Sequence, residues 1–124
     1  MTNQISESEL ILMRIIWKSG GAALYSLIMD ELDKDKNEWK NNTVLTLLSR
    51  LIEKGYLKVK KIGRRNEYIA TVTEQDYQAM QTHRFLDKIY EGNVKSFVST
   101  LLQQELLSPD ELKEIEEFWR NENG

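Results

Sequence analysis

Apolar residues recur at helical spacing along most of this chain, and in one place that periodicity gives way abruptly to strand-like alternation. After Ser6-Glu7-Ser8-Glu9, which offers a capping box from Ser6 to Glu9, Leu10, Met13, Ile16 and Trp17 fall on one face of a first helix ending near Gly20-Gly21. A second helix is predicted over 25–32, with Leu24, Leu27, Ile28 and Leu32 apolar, and the charged run at 33–37 links it to Trp39. In the third, Val44, Leu47, Leu48, Leu51 and Ile52 make a buried stripe that turns Asn42, Thr46, Ser49 and Arg50 outward. Gly55 stands where the end of a helix favours a left-handed residue. A strand, a turn at Gly63-Arg64-Arg65-Asn66 and a second strand follow at once.

Beyond the hairpin the helical period returns. Thr73 and Asp76 cap a fourth helix carrying Met80, Phe85, Leu86, Ile89 and Tyr90, which Gly92-Asn93 breaks. Val94, Phe97, Val98, Leu101, Leu102 and Leu106 mark a fifth helix too apolar to stand in water alone. Ser108-Pro109-Asp110-Glu111 opens a sixth, with Leu112, Ile115, Phe118 and Trp119 on its apolar side. The plainer expectation packs Phe97, Phe118 and Trp119 back onto their own domain. So much apolar surface added to an already complete unit instead calls for a partner, most simply a second copy of the chain. The predicted dimer interface is Val94, Phe97, Val98, Leu101, Leu102, Leu106, Leu112, Ile115 and Trp119. The fold class expected is mainly α with a small β-hairpin: a winged helix-turn-helix DNA-binding domain over residues 1–72, then a C-terminal helical dimerisation domain over 73–124.

Charge sharpens that reading. The 124 residues carry a net charge of −3, which would ordinarily argue against nucleic acid. Within 40–67, however, eight basic residues (Lys40, Arg50, Lys54, Lys58, Lys60, Lys61, Arg64 and Arg65) face only Glu53 and Glu67. The remainder is therefore strongly acidic. A basic segment on an acidic body concentrates positive potential on one surface, where phosphate is attracted. In a winged helix the third helix lies in the major groove and the hairpin touches the adjacent backbone.

Other chemistries find little support. With no cysteine, disulfide scaffolds, thiolate metal sites and cysteine nucleophiles are excluded. His83, the one histidine, has no companion at ligand spacing, so no metal is expected. Glu116 and Glu117 are adjacent on a helix and point in different directions, which does not suit paired acid-base work. No phosphate-loop, dinucleotide, zinc-protease or nucleophile-elbow motif occurs, so neither an enzyme nor a cofactor is expected. No apolar run approaches a membrane span, and the polar start is unlike a secretory signal, so no membrane partner is expected and the cytoplasm is the default location.

Several short motifs then carry a resemblance. Ile16-Trp17, Trp39, Thr43-Val44, Thr46-Leu47-Leu48, Arg50-Leu51 and Lys54-Gly55-Tyr56 resemble, in order, the BlaI/MecI penicillinase-repressor family. In the tail, Lys88-Ile89-Tyr90-Glu91-Gly92, Ser96-Phe97-Val98 and Leu107-Ser108-Pro109-Asp110-Glu111-Leu112 resemble that family's dimerisation region. The resemblance implies a homodimeric transcriptional repressor bound to a double-stranded, near-palindromic DNA operator with TACA/TGTA half-sites. Thr43, Thr46 and Arg50 match the family's recognition-helix contacts, and Arg64 and Arg65 occupy its wing. Lys40, Asn41 and Asn42 replace a more usual serine-containing helix start, leaving the N-cap to Asn41 or Asn42. Lys54 and Lys60 complete the expected DNA-binding set. Leu45 stands where some members have a basic residue, and an apolar contact to a thymine methyl is the substitute.

Induction is where the chain departs from the pattern. Copper-responsive members carry a C-terminal cysteine cluster, which this chain lacks. Members responding to β-lactams are cut at an Asn-Phe bond in the fifth helix, and the equivalent here is Thr100-Leu101. Switching by another protease site, a small-molecule effector or another signal is expected instead. The competing function is a winged helix that docks on acidic protein. Outward Thr46, Ser49 and Arg50 suit base edges and phosphates better than a dry protein interface, which would want exposed aromatics.

Overall fold

The computed structural model describes residues 4–123. In order, the elements are α1 (Glu7–Lys18), β1 (Ala22–Leu24), α2 (Tyr25–Lys34), α3 (Asn41–Glu53), β2 (Leu57–Ile62), β3 (Arg65–Ala70), α4 (Glu74–Tyr90), α5 (Val94–Gln103) and α6 (Pro109–Asn123). The described chain falls into two compact units, divided between Tyr77 and Gln78.

The first unit is a winged helix. Ser6 Oγ accepts from the Glu9 amide at 3.1 Å and Glu9 Oε1 accepts from the Ser6 amide at 2.7 Å, so the expected capping box opens α1. Leu12, Met13 and Ile16 from α1, Ile28 and Leu32 from α2, and Val44, Leu48 and Leu51 from α3 close into one core. Ile52, expected in the buried stripe, is only half-buried, because its position lies at the edge of the α3 apolar face.

The hairpin is joined by a strand that the periodicity did not reveal. β1 pairs antiparallel with β3, Ala23 opposite Tyr68, giving the sheet order β1-β3-β2. Three residues are too few to display alternation, and Leu24, expected to belong with the α2 face, ends this strand. Gly20 and Gly21 lead into it with φ of 86° and 95°, a conformation that costs a side-chain-bearing residue.

The first unit also extends past the expected boundary at residue 72. Trp17 Nε1 donates to the Val72 carbonyl at 2.9 Å. The buried ring of Tyr77 lies 5.6 Å from that of Trp17 and meets Tyr56 edge-on at 6.0 Å. The first turn of α4 therefore belongs to the winged-helix core.

The second unit is built from the rest of α4 with α5 and α6. Phe85, Tyr90 and Phe97 form a cluster with centroids 5.3 to 5.8 Å apart, joining α4 to α5. Asn93 caps α5 through the Ser96 amide at 3.0 Å, and Ser108 and Glu111 form a second capping box at the start of α6. No side chain of α5 is fully buried, Leu106 is 71% exposed, and Phe118 and Trp119 are each 61% exposed. Among the described residues, no helix is long and apolar enough to cross a membrane.

Candidate nucleic-acid interface

The recognition surface is set by which side of α3 the core consumes. Val44, Leu47, Leu48 and Leu51 are buried, and this holds Asn42, Thr43, Leu45, Thr46, Ser49 and Arg50 on the outer face. These are short hydrogen-bonding groups, one isobutyl group and one guanidinium, a mixture suited to base edges and thymine methyls. Thr46 Oγ1 donates to the Asn42 carbonyl one turn back at 2.8 Å. Its proton is thereby used, and Thr46 offers outward a lone pair and a methyl group.

The start of α3 differs from expectation. Lys40, with φ −76° and ψ 159°, is the N-cap and makes no side-chain capping hydrogen bond; Asn41 and Asn42 are the first helical residues. Asn41 is diverted from capping because its Oδ1 accepts from the Tyr25 hydroxyl. Burial, and then the neighbouring Tyr68, raise the Tyr25 phenol above its ordinary pKa.

The wing is tighter than the four-residue turn expected. Ile62 pairs with Arg65, so Gly63 and Arg64 alone form the loop. Gly63 has φ of 63° while Arg64 stays outside the left-handed region, the pattern of a two-residue hairpin with glycine first. Arg64 thus occupies the tip, and Arg65 opens β3; both are exposed. Lys58 and Lys60 are exposed on the edge strand β2, with Lys60 directly opposite Glu67. That acidic neighbour dilutes the Lys60 charge. Wing and recognition helix meet at an open cleft of about 480 Å³, to which Arg64, Arg65 and Asn66 contribute from one side and Asn41 and Leu45 from the other, with Tyr25 also lining it.

Lys54, expected in the DNA-binding set, is engaged within the protein. Its ammonium is 2.7 Å from Glu9 Oε1 and donates to the Gln4 carbonyl at 2.9 Å, with the side chain 27% exposed. Glu9 is only 1% exposed. Burial pushes the Glu9 carboxyl upward, but Lys54 and Ser6 outweigh it and hold its pKa below the ordinary value. Two anions compete for the Lys54 ammonium. A buried carboxylate needs a cation more than a solvated phosphate does. Lys54 clasps the end of α3 to the start of α1, a role that neither residue announces in the sequence.

Residues 5–121 match the penicillinase repressor family. The chain belongs to that family. It is 38% identical over 112 residues to a penicillinase repressor of Bacillus licheniformis, covering 90% of this chain and 86% of that one. It is 33% identical over 114 residues to the methicillin resistance regulatory protein MecI of Staphylococcus aureus (strain N315), covering 92% and 91%. Among solved structures, the DNA-binding domain of the repressor BlaI is similar at a TM-score of 0.53 and 38% identity, spanning 62% of this chain and 94% of that one. The monomeric form of B. licheniformis BlaI in complex with the blaP half-operator is similar at 0.52 and 38%, spanning 62% and 92%. As in other penicillinase repressors, the first unit is a winged helix, and the chain is a transcriptional repressor rather than an enzyme. The absence of cysteine sets it apart from the copper-responsive type.

Proposed function

We propose that the chain acts as a homodimer on a palindromic operator of the TACA/TGTA type, with one α3 in the major groove of each half-site. The observation that carries this reading is that the wing arginines share a cleft with Asn41 and Leu45 of α3, on whose outer face Thr43, Thr46 and Arg50 are also exposed. Thr43, Thr46 and Arg50 read base edges. Lys40, Asn41, Asn42, Lys60, Arg64 and Arg65 hold backbone phosphates. The similarity to a repressor solved on its half-operator supports DNA as the partner.

The helical region over 73–124 is proposed to supply the dimer, through Val94, Phe97, Val98, Leu101, Leu102, Leu106, Leu112, Ile115 and Trp119. Phe118, absent from the sequence-based set, joins them at 61% exposure. A two-fold axis through this region presents two recognition helices to two half-sites. Release from DNA is proposed to bypass cleavage at the usual family bond. Thr100-Leu101 offers neither the amide nor the aromatic ring of Asn-Phe, and threonine stiffens the backbone that a protease must reshape. Another protease site, a bound effector or another signal takes that role.

A band-shift titration against the full palindrome and a single half-site, with the Leu102→Asp variant alongside, tests this function. The native chain is expected to bind the palindrome far more tightly. Leu102→Asp is expected to lose that advantage and to run as a monomer in light scattering, because it buries an unpaired charge. A native chain that is monomeric at micromolar concentration, or that binds both duplexes alike, overturns the dimeric reading.

A further inference from the structure

Tyr25 lies in neither the recognition helix nor the wing, yet it stands between them. It is the first residue of α2, its hydroxyl donates to Asn41 Oδ1 in the first turn of α3, and it lines the cleft shared with Arg64 and Arg65. A primary amide has two unlike ends. Once Oδ1 is taken by a hydroxyl donor, the two N–H donors on Nδ2 are turned the other way, and Asn41 is exposed. Without that hydroxyl the amide is free to rotate, presenting its oxygen to a phosphate as readily as its nitrogen.

We propose that Tyr25 is a positioning residue for operator binding: its hydroxyl fixes the Asn41 amide with Nδ2 facing outward, ready to donate to a DNA backbone phosphate at the mouth of the cleft. This rests on the DNA-binding reading above. The same hydrogen bond accounts for the uncapped start of α3, because it occupies Oδ1, the asparagine atom that could accept from a backbone amide, and the cap position falls to Lys40, which makes no side-chain capping bond. Tyr25 thus aligns a donor and does not itself read sequence.

The test is a double-mutant cycle on the full chain, with Tyr25→Phe, Asn41→Ala and the double variant titrated against the palindromic and a scrambled duplex, and with thermal melting measured on each. Each single variant is expected to lose roughly 3- to 10-fold in affinity, the factor of one hydrogen bond, and to lose it on both duplexes because phosphates carry no sequence information. The double variant is expected to bind no more weakly than Asn41→Ala alone. The salt dependence should stay unchanged, since the amide is neutral. A tyrosine that merely stabilises the fold would lower the melting temperature and weaken binding independently of residue 41. Losses that multiply, or Tyr25→Phe binding like the native chain, overturn the positioning role while native DNA binding stands. A native chain that binds neither duplex overturns the DNA-binding reading and this one with it.

Discussion

Replacing Lys54 by methionine separates the two roles that this residue was open to, a DNA contact or an internal clasp. Methionine keeps most of the aliphatic stem and removes the ammonium, so the perturbation is electrostatic. Glu9 is then left buried at 1% exposure, with only the Ser6 amide at 2.7 Å to satisfy Oε1. Removing one partner of a buried pair costs about 3–5 kcal/mol; Lys54 itself is 27% exposed, so water relieves part of the strain and about 3 kcal/mol is the fitting value. For a unit of this size, that corresponds to a fall in Tm of roughly 10–25 °C at about 4–8 °C per kcal/mol. Thermal melting followed by circular dichroism reads it, with Lys60→Met as the exposed control, expected within about 0.5 kcal/mol of the native chain. The double variant Glu9→Leu with Lys54→Met should recover most of the loss, because it removes both charges rather than stranding one. If Lys54→Met melts like the native protein but binds DNA more weakly, the clasp is wrong and Lys54 belongs to the interface.

The same clasp makes a prediction about pH. Because Glu9 has a folded-state pKa below its ordinary 4.5, its contribution to stability is complete above that value and is lost as pH falls through the lowered one; melting curves between pH 7 and 3 should show this acid-side loss, and Glu9→Gln should lack it. Replacing Arg64 and Arg65 together by alanine should weaken specific and scrambled duplexes by similar factors and make the salt slope shallower by roughly one to two units, and an unchanged slope with intact folding removes the wing from the interface. Thr46→Ala or Arg50→Ala should cost on the order of 1–3 kcal/mol on the palindrome and far less on scrambled DNA, whereas equal losses make these residues generic phosphate binders.

Features that depend on local periodicity could be read from the sequence, and features that depend on distant pairing could not. The α3 stripe of Val44, Leu47, Leu48 and Leu51, the Ser6–Glu9 capping box and the glycine after α3 each declare themselves within a few residues, and each stands where its pattern placed it. β1 escaped because three residues give no alternation to read, and its identity as a strand depends on β3, more than forty residues away. Lys54 looked like one more basic residue in a basic segment; only folding brings it to Glu9. Tyr25 marks only a helix start by local pattern, since its meeting with Asn41 spans the whole of α2 and the linker after it. The N-cap of α3 was misplaced for the same reason: asparagine is a good cap by propensity, but here a tertiary hydrogen bond claims its side chain.

Fluorescence anisotropy of the chain at physiological salt, comparing a duplex carrying the TACA/TGTA palindrome with a scrambled duplex of equal length, bears most directly on sequence reading by the α3 face. Preference for the palindrome by at least about 10³-fold is expected, the lower end for specific recognition over non-specific binding. Equal affinity for the two duplexes would contradict it, leaving the basic segment as a non-specific phosphate-binding surface.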